Sequence, residues 1–204
     1  ALTNLIFYWA EKLSRGCGWF AVLIGGFAGA VLGYLSQRGI LLDPNVSHQL
    51  LTHVLFGHLP TFLVSSFVLL RVSFQLATDS QMRVAWTQGH QAAVYGMACS
   101  LVSLMAWSWF FLAAMLGCWF GMMLALSGYA MPAWQAFWFD FGLDQLLHAA
   151  LRMLMLAMVL SVMTFVEVNF MQTHRHQLSL LMARFMTVGM FLIAGIELLD
   201  MTLM

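Results

Sequence analysis

Five stretches of about twenty or more mostly apolar residues dominate this chain, at roughly 18–38, 46–70, 97–128, 145–169 and 186–204. A helix rises about 1.5 Å per residue, so about 20 such residues cross the roughly 30 Å hydrocarbon core of a bilayer. Hydrocarbon leaves no water to satisfy backbone amides, and a helix satisfies them internally. The expected fold is therefore an all-α integral membrane protein, with residues 1–204 forming one transmembrane domain. Composition excludes the soluble alternative. The chain is 62% hydrophobic and 8% charged, with a mean hydropathy of +0.87. The usual apolar share is roughly 45–50%, and too few polar residues remain to coat a water-facing surface.

Residues 1–16 are shorter and mixed. Leu2, Leu5, Ile6, Trp9 and Leu13 recur at helical spacing, while Asn4, Glu11, Lys12 and Arg15 fall largely elsewhere on the wheel. This pattern predicts an amphipathic helix lying in the membrane interface. The stretch is too polar for the core of a secretory signal. Basic residues mark the cytoplasmic side. Lys12, Arg15, Arg71, Arg83, Arg175 and Arg184, six of the eight basic residues, fall on one side of a five-span topology. That places the N-terminus in the cytoplasm and the C-terminus outside. PAWQAFWFDFGLD, residues 132–144, is predicted to lie at the outer interface, where aromatic rings prefer to sit.

The spans carry packing signals. Gly25, Gly29 and Gly33 repeat every four residues, as do Ala113, Gly117, Gly121 and Ala125. Small residues on one helix face let a second helix approach closely, within the protomer or across a dimer. Asp144, His148 and Arg152 form a polar stripe entering the fourth span. Such a stripe lines a watery cavity, or else snorkels and pairs within its own helix. The fourth span is also rich in methionine (Met153, Met155, Met158 and Met163), which repacks around varied apolar guests or simply faces lipid.

Several chemistries are not expected. Formal net charge is zero, so nucleic acid is not an expected partner. Cys17, Cys99 and Cys118 have neither metal nor redox spacing. His48, His53 and His58 are five apart, which spreads them around a helix. No metal site is expected, and no nucleophile turn or phosphate-binding loop is present. The chain is not expected to be an enzyme or to hydrolyse nucleotide itself.

The order of these pieces resembles the MlaE family of ABC permeases, which transport lipids in the bacterial inner membrane. GGFAGAVLGYLSQRGI resembles the family's glycine-rich first helix. LFGHLPTFLVSSFVLLR resembles a stretch reading E-L-G-P-V, small apolar residues, then G-R-A-G, with Leu59-Pro60 near the Leu-Gly-Pro and Arg71 at the arginine. Leu76 and Asp79 stand at a leucine and an acid of the continuation, and Thr87-Gln88 stands where the family has Glu-Gln. IELLDMTLM resembles the family's ending, with Glu197 at its acid. The chain differs at His58 (glutamate in the family), at Ser73 (glycine), at Thr87 (glutamate) and at Arg152, one position from an intramembrane lysine.

The resemblance implies a permease subunit that moves phospholipids or similar lipids between the inner membrane and the periplasm or outer membrane. A separate ABC ATPase would bind ATP and Mg, and this chain would carry no cofactor. Other implied partners are a second permease chain, a periplasmic MCE-domain protein and a small STAS-domain protein. Residues 71–96 would then be a cytoplasmic coupling segment docking on the ATPase. Arg71, Asp79, Arg83, Trp86, Gln88, His90 and Gln91 are its candidate contacts, with Ala93, Val94 and Met97 as further apolar anchors. Asp144, His148, Arg152, Met155 and Glu197 become candidates for a substrate cavity. Two other readings compete: a membrane haem or redox protein using His48, His53, His58 or His148, and a non-transporting assembly subunit.

Overall fold

The structure, a computed structural model, describes residues 2–37, 54, 56–79, 84, 88–126, 143–173 and 178–203. Among them every regular element is a helix: α1 (Leu2–Ser14), α2 (Cys17–Gln37), α3 (Leu59–Thr78), α4 (Gly89–Leu126), α5 (Leu143–Thr173) and α6 (Leu178–Leu203). Five helical stretches are long and apolar enough to cross a membrane: Cys17–Gln37, Phe56–Thr78, Gly89–Ala125, Asp144–Phe170 and Met182–Asp200. This is the build of a multi-pass membrane protein.

Each helix sorts its residues by face. In α2, Trp19, Leu23, Phe27 and Val31 are exposed at four-residue intervals, while Ala21 is buried on the opposite side. In α3 the buried positions come in pairs, with Val64-Ser65, Val68-Leu69, Val72-Ser73 and Gln75-Leu76 marking successive turns. α5 exposes Leu147, Leu151, Met155, Met158, Val162 and Val166 along one stripe. Large exposed apolar stripes are costly in water and natural against lipid tails.

The helices form two compact units. The first comprises residues 1–17, 62–104 and 153–204. Here α1 turns its Ala10–Leu13 side inward, and the Trp9 ring meets Tyr95 of α4 with centroids 4.2 Å apart. Gly16, at φ 91°, makes the left-handed turn from α1 into α2 that only glycine adopts without strain. On α6, a Cβ added at Gly189 would lie 2.6 Å from the Leu69 side chain of α3.

The second unit comprises residues 18–61 and 105–152. Its seam is built from the two small-residue stripes. A Cβ at Gly25 would lie 2.6 Å from the Phe110 carbonyl oxygen, and Gly29 and Gly33 sit closer still to Ala114 and Cys118. In return Gly117 and Gly121 press on the backbone of Gly26 and Ala30. The stripes of α2 and α4 therefore pack on each other within one protomer. Phe56, Phe111 and Trp107 fill the space beside this seam.

The helix limits differ from the hydropathic reading most at the second and third spans, while α6 begins earlier, at Leu178. Residues 71–96, read as a coupling segment between spans, mostly belong to spanning helices. α3 continues to Thr78 and α4 begins at Gly89. The reason lies in the α3 sequence after residue 70. Arg71, Gln75 and Thr78 lower the hydropathy, yet Val72 and Leu76 stay buried and keep the helix docked. Of residues 46–55, read as the start of the second span, all but Val54 lie outside the described residues, as does the aromatic segment 132–142.

Candidate functional site

In the first unit, the C-terminal turns of α1 and α3 line an open polar cavity of about 530 Å³. Its walls are Lys12, Arg15, Arg71, Phe74, Gln75, Thr78 and Asp79. Three contacts join the two helices or orient the site. Lys12 forms an ion pair with Asp79. The Gln75 amide donates to the Lys12 carbonyl at 3.0 Å. The Lys12 ammonium also stands 5.0 Å from the centre of the Trp9 ring, a favourable position against the negative face of the π system. Arg15 lies 3.7 Å from Glu11, both exposed. Three cations thus face one carboxylate across the cavity.

In the second unit, Arg152 of α5 is buried and holds the entry to α3. Its guanidinium donates to His58 Nδ1 at 2.7 Å and to the Gly57 carbonyl at 2.7 Å. Arginine only donates, so Nδ1 accepts and the neutral ring carries its proton on Nε2. Acceptors are available here because a carbonyl oxygen carries two lone pairs and can take a side-chain donor beside a backbone one. The Thr61 hydroxyl donates to the His58 carbonyl at 2.8 Å, while Gly57 takes Arg152.

These placements divide the residues read as candidate sites. Arg71 and Asp79 line the polar cavity. Gln88 and His90 are exposed at the start of α4, Gln91 is half-buried, and Arg83 and Trp86 lie outside the described residues. Of the further anchors, Val94 is buried whereas Ala93 and Met97 are exposed. The stripe Asp144, His148, Arg152 does not act as one lining. Asp144 and His148 are exposed, and Met155 lies on the outward apolar stripe of α5, whereas Arg152 is turned inward. Four-residue spacing drifts about 40° per step around a 3.6-residue helix, so packing separates residues that spacing groups. Glu197 is buried in the first unit, and Arg152 belongs to the second.

Among the described residues, no three His, Cys, Asp or Glu side chains gather as a metal site. A further pair lies in the first unit, its carboxylate buried and its arginine half-exposed: Arg184 Nε stands 3.4 Å from Glu167, with its guanidinium 4.7 Å from the Phe170 ring centre. Between α4 and α5 of that unit runs an apolar groove of about 580 Å³, with Gly96, Met97, Met158 and Phe165 among its walls. Its two serines spend their hydroxyls on their own helices, Ser100 on Gly96 and Ser161 on Ala157. The groove is therefore apolar in effect.

Sequence reasoning passed over Gln75 and Glu167, gave Lys12 only a place in the interfacial helix, and gave His58 only a place in the haem reading. A signal existed for Gln75, which falls between Arg71 and Thr78 at helical spacing. None existed for His58, whose partner is 94 residues away. Against known proteins, no family model, no curated protein and no solved structure matches this chain.

Proposed function

We propose that the chain is the permease subunit of an ABC transporter that moves phospholipids or similar lipids, driven by a separate ATPase subunit. The observation that carries the reading is the joint between α1 and α3. Arg71 and Asp79, which align with an arginine and an acid of the resembled pattern, lie where the N-terminal helix is tied on by Lys12. α1 exposes Leu5, Phe7 and Tyr8, as a helix lying in a membrane interface does. In this reading motion delivered to residues 79–91 passes into α3 and α1 together, because the ion pair and the Gln75 bond make them one body. The apolar groove between α4 and α5 supports a lipid cargo, since its walls are almost wholly apolar. The same reading places the chain in the bacterial inner membrane with its N-terminus in the cytoplasm.

The test is affinity purification of the chain from its native membrane in mild detergent, with mass spectrometry of the proteins and lipids. An ATPase and an MCE-domain protein in the eluate, both reduced by the Trp86→Ala, Gln88→Ala double variant, are expected. A chain that elutes alone refutes the transporter reading.

A further inference from the structure

We propose that the polar cavity between α1 and α3 binds a phosphate group, supplied by the headgroup of an anionic phospholipid that stays with the protein. This site does not rest on the transporter reading, since a lipid seated here ties α1 to α3 whatever the chain transports.

The charge balance comes first. Lys12 is neutralised by Asp79, whereas Arg71 forms no ion pair among the described residues and Arg15 has only a loose, exposed one. An anion entering the cavity therefore meets uncompensated guanidinium charge. Arginine's planar fork matches phosphate oxygens, and charge-assisted bonds of this kind are roughly twice as strong as neutral ones.

Unmet hydrogen-bonding capacity is the second observation. Gln75 is 5% exposed, and the oxygen of its amide makes no hydrogen bond. Arg71 Nε is buried and equally without a partner. Buried polar atoms are nearly always satisfied, and these two share the wall of one cavity. A phosphodiester accepts from the arginine, and a glycerol hydroxyl donates to the amide oxygen.

The surroundings favour a lipid over a free ion. Phe74, 58% exposed, forms an apolar edge of the same cavity. α1 carries Leu5, Phe7 and Tyr8 outward on the helix that supplies Lys12 and Arg15. Headgroup chemistry and acyl-chain chemistry are thus side by side. Basic pockets at helix ends are a recurrent way of holding anionic headgroups.

The experiment uses the full chain in neutral detergent, with phosphatidylglycerol, phosphatidylcholine or inorganic phosphate added and bound species weighed by native mass spectrometry. Phosphatidylglycerol should be retained over phosphatidylcholine. Arg71→Gln should lower its retention about tenfold or more, while Arg184→Gln, outside the cavity, leaves it unchanged. Arg15→Gln, at an exposed position that cannot threaten the fold, should weaken retention in the same direction. Equal retention of both lipids, or no change in either cavity variant, overturns the proposal. Saturable inorganic phosphate binding without lipid preference overturns the lipid assignment. ATPase copurification is a separate readout, so failure of one proposal is not failure of the other.

Discussion

Arg152 donates to His58 Nδ1 at 2.7 Å across 94 positions of sequence. Both side chains are buried, and packing makes them partners. With the Gly57 carbonyl also held by Arg152, the contact fastens α5 to the residues that lead into α3.

Arg152→Ala should therefore destabilise the protein by about 1–3 kcal/mol for each buried acceptor left unpaired. Arg152→Lys should not rescue it, because an ammonium lacks the fork that reaches two acceptors. His58→Ala and Arg152→Ala should be non-additive, since they break one network. Thermal melting in detergent measures this, and an Arg152→Ala protein that melts like the parent refutes it.

The α2–α4 seam leaves no room for side chains. Gly29→Val and Gly117→Val should each cost at least about 1–3 kcal/mol, because the added carbons meet backbone rather than a movable side chain. Gly195 of α6 is the control. Nothing lies within 4 Å of an added Cβ there, so Gly195→Ala should stabilise by up to about 1 kcal/mol. Fluorescence-detected size exclusion after heating ranks the three variants.

Arg184 is the partner of a buried carboxylate, Glu167. Arg184→Ala should destabilise more than Glu167→Gln does, since it strands a charge that the amide lacks. The loss should stay below the about 3–5 kcal/mol of a fully buried pair, because the Arg184 side chain is 53% exposed. If Glu167→Gln proves the more damaging of the two, the pairing argument is wrong.

Releasing α1 should expose Cys17. Its thiol is buried and donates to the Leu13 carbonyl at 3.4 Å. Asp79→Ala removes the ion pair that holds Lys12, a part-exposed contact worth up to about 1 kcal/mol. Maleimide labelling of Cys17, located by peptide mass spectrometry, should quicken up to about fivefold. Unchanged labelling means that the Gln75 bond and the packing of Trp9 and Leu13 hold α1 without the ion pair.

What the sequence determined by itself was everything that depends on local periodicity. Runs of apolar residues longer than the bilayer is thick specify helices, and four-residue glycine repeats specify a face that admits close approach. The faces at Gly25, Gly29 and Gly33 and at Gly117 and Gly121 were legible for that reason. Tertiary structure decided partners and direction. It decided that these two faces meet each other, that Arg152 turns inward to His58 while Met155 turns out, and that Lys12 reaches Asp79. Spacing along a helix says which residues share a face; it carries no information on what that face meets. The polar residues Arg71, Gln75 and Thr78 show the same limit from the other side. Hydropathy read them as the end of a span, but a helix ends where its backbone loses support, and buried Val72 and Leu76 carry that support on to Thr78.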